Sequence, residues 1–117
     1  MTLFNTGDIV LVPFPFSDLE TTKKRPTLIL SVITSKTLPK LYIVCMMTSQ
    51  VDSENILGDY LMKDWEEVGL LYPTRIRVSK MVTVEEKLLQ KKLGQLSRDD
   101  SKNIKKIMPK IFSAWIK

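Results

Sequence analysis

The sequence predicts a mainly β domain with helices at its C-terminal end, and three observations predict it. Short apolar and β-branched runs, separated by polar turn residues, recur through the first 84 residues. A long apolar stripe at helical spacing follows Ser97. The length of 117 residues suits one domain over residues 1–117. Together these patterns are typical of a small, strongly bent antiparallel sheet, or a partly closed barrel, that carries helical additions.

Two strands are predicted near the N-terminus. The first covers Asp8 to Phe16, and Pro13 and Pro15 place its second half at a sheet edge, because proline cannot donate to a neighbouring strand. Ser17 to Lys24 is polar and has the composition of a turn. The second strand covers Pro26 to Ile33, so we expect a hairpin with a long connecting loop.

The middle of the chain contains a predicted central strand. Leu41 to Thr48 is apolar almost throughout, which suits a strand covered on both faces. Ser49 to Asn55 is polar and predicts a loop. Tyr60 to Met62 predicts a short strand, and Lys63 to Val68 predicts one helical turn that ends at Gly69.

A further strand and a short helix are predicted next. The strand is Arg75 to Val84, and alternation along it separates two faces. One face carries Ile76, Val78 and Lys80, and the other carries Arg75, Arg77 and Ser79. Glu85 to Leu93 predicts a short helix closed by Gly94.

A final helix is predicted after Ser97, which is a good N-cap, with Asp99 and Asp100 in the first turn. The residues at helical spacing are Ile104, Ile107, Met108, Ile111, Phe112, Trp115 and Ile116. Pro109 interrupts this stripe, which predicts a kink or two abutting helices. Trp115 is expected to be buried against the barrel.

Composition restricts the chemistry. There is no histidine, and the one cysteine, Cys45, is expected to be a buried thiol that forms no internal disulfide. These facts exclude histidine acid–base catalysis and ordinary zinc or iron–sulfur sites, so we predict no metal and no cofactor. No apolar run approaches the ~20 residues of a membrane span, and the N-terminus lacks signal-peptide features, so a cytoplasmic protein is expected.

The net charge of +5 is unevenly distributed. Residues 1–79 carry eight basic and nine acidic groups, net −1, whereas residues 80–117 carry ten and four, net +6. This asymmetry indicates an anionic partner. Solvated lysine-rich helix faces would give the same excess, and charge alone does not choose between these interpretations.

Several polar residues at strand ends suggest a phosphate site. Arg25 precedes Pro26, which biases Arg25 toward an extended backbone at the start of its strand. Thr48 and Ser49 end the apolar central strand. With Arg77 beside them, these groups could surround a phosphate, because arginine forks match phosphate oxygens. Each residue alone is commonly a surface charge or part of a turn, and the combination carries the prediction.

Eight short segments allow a comparison with a known family. They are Gly7 to Val12, Phe14 to Phe16, Lys24 to Pro26, Leu28 to Ser31, Thr48–Ser49, Gly69–Leu70, Thr83–Val84 and Leu93 to Leu96. By these segments the sequence resembles the MazF/PemK family of type II toxins, which are ribosome-independent mRNA interferases. The resemblance runs from about Gly7 to about Ile116. The Gly-Asp opening joined to Arg-Pro at this spacing is fairly specific.

The resemblance implies an SH3-like, CcdB/MazF-type small barrel that forms a homodimer and binds single-stranded RNA in a groove across the two subunits. It implies cleavage without metal or cofactor, leaving a 2′,3′-cyclic phosphate and a 5′-hydroxyl. It also implies a cognate antitoxin whose acidic, disordered tail covers the same basic groove.

The resemblance also assigns roles. Arg25 and Thr48 match catalytic positions, and Arg77 matches an arginine that some members use for phosphate binding or acid assistance. Because the arginine pKa lies above about 12, electrostatic stabilisation suits Arg25 better than proton transfer. Lys23 and Lys24, in the loop before Arg25, are expected to follow the RNA backbone. The remaining expected RNA contacts are Ser49 and Ser79.

Aromatic residues are candidates for stacking on RNA bases. They are Phe14, Phe16, Trp65 and Tyr72. Packing in the core or in a dimer is the alternative, and it is favoured for Phe14 and Phe16.

One position departs from the family pattern. Some members carry an acidic residue, a proposed general base, two positions after the strand arginine, where this chain has Ser79. Either Glu20 or Asp18 in the loop substitutes, or the chain is slow, because one acid–base contribution is worth about 10²- to 10⁴-fold. Two alternatives therefore stay open: a CcdB-like gyrase poison that acts through its C-terminal helix, and a non-catalytic RNA-binding relative.

Overall fold

The computed structural model describes residues 3–14 and 23–116, in which six strands are followed by two helices. The strands are β1 (Asp8–Phe14), β2 (Lys23–Ile33), β3 (Leu41–Thr48), β4 (Asp59–Leu61), β5 (Arg75–Glu85) and β6 (Lys91–Gln95). The helices are α1 (Arg98–Ile111) and α2 (Ser113–Ile116). The fold is mainly β with C-terminal helices, as predicted.

The strands form one antiparallel sheet in the order β4-β5-β3-β2-β1-β6. One of its two central strands is β3, with the predicted bounds and with every residue at least half-buried. The pairing register shifts within β1–β6, β2–β3 and β3–β5. Such irregularities bend a sheet and increase its twist, as the predicted strongly bent sheet requires.

Apolar side chains cover both faces of the sheet. They form two clusters, because residues paired across antiparallel strands share a face. One cluster contains Ile9, Leu28, Cys45, Met47, Met62, Ile76, Val78, Leu96 and Ile104. The other contains Val10, Val12, Ile29, Tyr42, Val44, Val84 and Leu89. Cys45 is fully buried, as predicted, and burial raises the pKa of its thiol to about 12.

The first hairpin differs in detail from the prediction. Pro13 pairs only with β2, because β6 pairs no further along β1 than Leu11, so this half of β1 does lie at an edge. The lysines at 23 and 24 were expected in a loop, but β2 begins at Lys23, whose partner on β1 is Phe14. Pairing with β1 thus extends the strand through the residues before Pro26. The predicted strand end at Pro15 and Phe16 lies outside the described residues.

The predicted helix over Glu85 to Leu93 is wrong. β5 continues to Glu85, one 3-10 turn covers Glu86–Leu88, and β6 follows. Gly94 does not close a helix but lies within β6, where a Cβ atom would stand 2.4 Å from the Val68 carbonyl oxygen. Pairing of β6 with β1 therefore overrides a local pattern with little β propensity.

The short elements after β3 are close to their predictions. The strand predicted at Tyr60 to Met62 is displaced by one residue, to Asp59–Leu61. The predicted turn of helix at 63–68 is a hydrogen-bonded turn in which the Val68 amide donates to the Asp64 carbonyl at 3.3 Å. Gly69 ends it with φ +91°, a conformation that favours glycine.

The C-terminal helices confirm the predicted cap and interruption. The Ser97 hydroxyl accepts a hydrogen bond from the Asp100 amide at 3.1 Å, and α1 contains Pro109 and ends at Ile111. Trp115, however, is 90% exposed rather than buried. Phe112 leaves helical geometry between α1 and α2, so Trp115 no longer continues the apolar stripe of α1. No helix in the described part of the chain is long and apolar enough to span a membrane.

Candidate RNA-binding site

A cavity of about 810 Å³ opens where β2 begins and β3 ends. Its polar lining includes Lys23, Lys24, Arg25, Thr48, Ser49 and Gln50, and its apolar lining includes Met46, Met47, Leu70, Leu71 and Tyr72. Five of the seven residues predicted for the site therefore lie around one cavity. They come from two adjacent strands and the loop after β3.

Strand register explains why Arg25 and Thr48 meet. Thr27 of β2 pairs with Met46 of β3, and the same antiparallel register continued by two residues would set Arg25 opposite Thr48. Residues directly opposite each other on paired strands project from the same face. The sequence places these residues 23 positions apart, and the fold brings both to the lining of one cavity.

The hydroxyl of Thr48 already has one local partner. The Gln50 amide donates to Thr48 Oγ1 at 3.1 Å, which holds the chain as it leaves β3. A hydroxyl that accepts one bond keeps its own hydrogen to donate. Thr48 can therefore donate to an anion in the cavity from an oriented position.

The cavity is cationic. Lys23, Lys24 and Lys80 are exposed and Arg25 is half-buried, and no Asp or Glu occurs among the described residues that line the cavity. A cleft with charges of one sign concentrates ligands of the opposite sign. This arrangement can hold a phosphate and offer it both guanidinium and hydroxyl donors.

Arg77 and Ser79 are not among the described residues that line the cavity. The Arg77 side chain is 10% exposed, and its Nη2 donates to Ser53 Oγ at 2.7 Å and to the Glu54 carbonyl at 3.2 Å. Ser79 is exposed and lies beside Gly58. The structure therefore does not place Arg77 beside Arg25 as the sequence interpretation did, because Arg77 is bonded to the loop after β3.

Sequence reasoning missed Lys80, Gln50 and Leu71 in the cavity lining. Strict alternation put Lys80 on a face with Ile76 and Val78, but between Arg77 and Met81 the register of β5 against β3 shifts. Nothing in the sequence marks that shift. Gln50 could have been found as the next polar residue after Thr48 and Ser49.

The aromatic residues predicted to contact RNA differ in their location. Tyr72 is 64% exposed at the cavity. Trp65 is half-buried and packs against the core, which is the alternative to stacking on RNA bases. The side chain of Phe14, and all of Phe16, lie outside the described residues, and so do the candidate bases Asp18 and Glu20. Over residues 3–14 and 23–116, no group of three or more cysteine or acidic side chains is arranged to hold a metal ion.

A family model described as the PemK-like, MazF-like toxin of type II toxin–antitoxin systems matches residues 5–112. No protein of curated function matches the chain significantly.

Three solved structures share the fold. An endoribonuclease of a mycobacterial species, in complex with its cognate antitoxin, is 12% identical with a TM-score of 0.67, and the match covers 95% of this chain and 96% of that one. The MazE–MazF complex of Deinococcus radiodurans gives 13% identity, a TM-score of 0.66 and coverage of 96% and 97%. The Mycobacterium tuberculosis toxin MazF-mt6 is 18% identical with a TM-score of 0.66, and the match covers 91% of this chain and 96% of that one.

Proposed function

The chain belongs to the PemK/MazF toxin family of type II toxin–antitoxin systems, and on that premise we propose that it is an endoribonuclease that cleaves single-stranded mRNA. The observation that carries the proposal is the meeting of Arg25 and Thr48 at one cationic cavity. The proposed reaction is metal-independent transesterification that leaves a 2′,3′-cyclic phosphate and a 5′-hydroxyl.

The proposed chemistry needs few groups. The ribose 2′-hydroxyl gives its proton to water as its oxygen attacks the adjacent phosphorus, the bond to the 5′-oxygen breaks, and that oxygen takes a proton from water. Because attack is intramolecular, an enzyme gains most by holding the strand in line and by stabilising charge on the phosphoryl oxygens. Arg25 supplies a guanidinium fork to those oxygens, and Thr48 donates its hydroxyl hydrogen.

The proton of the 2′-hydroxyl has no carboxylate acceptor among the described cavity residues. Ser79, at the position where some family members carry an acid, is a poor base and lies outside the cavity. Unless Asp18 or Glu20, which lie outside the described residues, serves as the base, the rate depends mainly on electrostatic stabilisation and lacks the roughly 10²- to 10⁴-fold gain of a positioned base.

RNA contacts extend beyond the reacting phosphate. In this proposal the lysines at 23, 24 and 80, which line the cavity, follow neighbouring phosphates, and exposed Tyr72 offers a ring for base stacking. Ser49 is a proposed hydrogen-bonding contact inside the cavity. Ser79 would contact RNA only where the strand leaves the cavity.

The proposed partners follow from the family. We expect a homodimer that acts in the cytoplasm, and an antitoxin whose acidic segment covers the cavity cations. Two of the similar structures contain an antitoxin bound to the toxin, which supports a partner of this kind.

The test is cleavage of a long RNA in EDTA, followed by mapping of fragment ends. We expect discrete cuts by the wild type, and a loss of about 10²- to 10³-fold in Arg25→Ala, because one charge-stabilising donor is worth that much. Arg98→Ala is the matched control, since Arg98 is exposed on α1 outside the cavity. Wild-type cleavage by Arg25→Ala would show that the proposed site is wrong, and RNA retention without cuts by the wild type would indicate a non-catalytic relative.

One observation favours a second candidate, a CcdB-like poison that binds gyrase. Three large apolar residues at the C-terminal end are exposed: Phe112 by 45%, Trp115 by 90% and Ile116 by 63%. Exposed apolar residues that lie together are typical of a surface that binds another protein. That function predicts gyrase binding by the wild type, loss of binding in Trp115→Ala, and no effect of Arg25→Ala. RNA cleavage without gyrase binding would exclude it.

A further inference from the structure

Two buried arginines hold the loop that follows β3. Arg75 Nη1 donates to the Ser53 carbonyl at 2.7 Å and to Ser53 Oγ at 3.0 Å, and Arg75 Nη2 donates to the Val51 carbonyl. Arg77 Nη2 adds bonds to the same Ser53 hydroxyl and to the Glu54 carbonyl. The two guanidinium groups therefore converge on residues 51–54 rather than on the cavity.

Asp59 offsets one of the two positive charges of this pair. Its side chain is 2% exposed, and its Oδ2 lies 3.5 Å from Arg77 Nη1 and 3.8 Å from Arg75 Nη1. The same oxygen accepts a hydrogen bond from the Ile56 amide at 2.9 Å. Buried charges persist in proteins when they are paired and hydrogen-bonded, so this cluster is a built structural unit.

The segment that the two arginines hold, residues 51–54, is continuous with the cavity wall. Thr48, Ser49 and Gln50 line the cavity and directly precede it, and the Val51 amide donates to the Ser49 carbonyl at 3.0 Å. Residues 52–57 are exposed, so little apolar burial orders the loop. Segments with few buried contacts open easily unless specific bonds hold them.

We propose that Arg77, together with Arg75, is a positioning residue that fixes Thr48, Ser49 and Gln50 against RNA by clamping the loop at Ser53 and Glu54. This inference rests on the proposed function, and it gives Arg77 a role different from phosphate binding or acid assistance. It predicts that loop order and RNA cleavage change together when the clamp is weakened.

The first measurement is hydrogen exchange of amides in residues 49–57, with cleavage by Glu-C protease after Glu54 as a second probe. Hydrogen bonds to charged groups stabilise more than neutral ones, so their loss in Arg77→Ala should speed amide exchange in residues 49–57 about 10- to 100-fold. Arg98→Ala is the matched control, because Arg98 is exposed on α1 outside the cavity, and it should leave loop exchange unchanged. Unchanged exchange in Arg77→Ala would overturn the clamp.

The second measurement is a double-mutant cycle on kcat/KM between Arg77→Ala and Ser53→Ala. A displaced loop predicts a loss of up to about 100-fold in Arg77→Ala, a smaller loss in Ser53→Ala, and a double variant no worse than Arg77→Ala. Arg77→Lys, which keeps the charge but loses the fork, should fall between wild type and Arg77→Ala. An arginine that touches the phosphate would leave Ser53→Ala near wild type, and that result would overturn the proposal.

The two measurements separate this inference from the proposed function. A wild type that cuts no RNA contradicts the endoribonuclease proposal, and loop exchange then still decides whether the clamp exists. If Arg77→Ala does not fold, Ser53→Ala and Arg77→Lys carry both measurements, because each removes only part of the clamp.

Discussion

At the scale of single residues, the candidate site consists of side chains at strand ends. Thr48 is both a proposed phosphate donor and an acceptor for the Gln50 amide, so the backbone orients its hydroxyl. Arg25 reaches the same cavity from the adjacent strand. The proposed chemistry therefore depends on one hydroxyl and one guanidinium group.

Replacing the Thr48 hydroxyl tests its role directly. We expect Thr48→Val to lose about 10²-fold in kcat/KM, because a similarly shaped side chain can no longer donate to the phosphoryl oxygen. Thr48→Ser, which keeps a hydroxyl, should retain most activity. Thr83→Val, at an exposed position of β5, is the control. Equal activity of the valine and serine variants at position 48 would contradict the proposed donor.

Sequence alone located part of this site. Arg25 could be singled out because it precedes Pro26 at the predicted strand start, although β2 begins at Lys23, and Thr48 because the apolar run of β3 ends at its hydroxyl. Arg77 could not be placed, because alternation gives the face of a side chain but not whether a loop folds over that face. Its actual partners, Ser53 and Glu54, lie in a segment whose sequence predicts only a loop.

At the scale of elements, one buried carboxylate attaches α1 to the sheet. Asp100 is fully buried and accepts hydrogen bonds from the Tyr60 hydroxyl and from the Lys63 and Asp64 amides, the last two at 3.0 Å each. The Ser97 hydroxyl, which caps α1, donates to Asp64 at 2.7 Å. The helix start and the turn after β4 thus share one polar network.

Removing that carboxylate should destabilise the protein. Asp100→Ala leaves two amides and a hydroxyl without their acceptor, and we expect a loss of about 3 kcal/mol in the free energy of unfolding, since each such group costs about 1–3 kcal/mol. Asp99→Ala is the control, because the Lys63–Asp99 ion pair is exposed to solvent and contributes little to stability. Urea unfolding measures both, and equal losses would contradict the assigned role of Asp100.

The same network predicts an alkaline loss of stability. Burial, and then the hydrogen bond to Asp100, raise the pKa of Tyr60 from 10.0 to about 12. The folded state therefore holds this proton more tightly, and its contribution is complete below pH 10 and is lost as the pH rises to about 12. Urea unfolding between pH 8 and 12 should show a steeper decline in the wild type than in Tyr60→Phe. Parallel declines would contradict the assignment.

Elements were predictable where local pattern and tertiary pairing agree. β3 has its predicted bounds because its whole sequence is apolar, and the cap of α1 was found from Ser97 and the acids after it. β6 was predicted as part of a helix because Lys91, Lys92 and Gly94 carry no strand signal. Only pairing with β1, distant in sequence, makes this segment a strand.

At the scale of the whole molecule, charge is distributed differently from what the sequence suggested. The excess of basic residues lies in residues 80–117, but among the described basic residues of that region only Lys80 lines the cavity. Its other cations, Lys23, Lys24 and Arg25, come from the part of the chain with a net charge of −1. Local clustering on β2, rather than the regional sum, makes the cavity cationic.

This clustering predicts the salt dependence of RNA binding. Each phosphate contact with a single strand contributes about −0.7 to the slope of log K against log salt concentration. A Lys23→Ala/Lys24→Ala variant should therefore bind more weakly, with a slope smaller by about 1.4. Lys102→Ala/Lys105→Ala removes the same charge from exposed positions of α1 and is the control. Equal slopes in the two variants would contradict binding at the cavity.

The exposure of Trp115 gives the protein an internal optical probe. The chain has two tryptophans, and Trp65 is half-buried whereas the indole of Trp115 is 90% exposed. Iodide should quench the fluorescence of Trp115 far more than that of Trp65. Any molecule that docks on the C-terminal helix would shift the emission to shorter wavelength and protect it from the quencher, so such docking can be followed without attaching a dye.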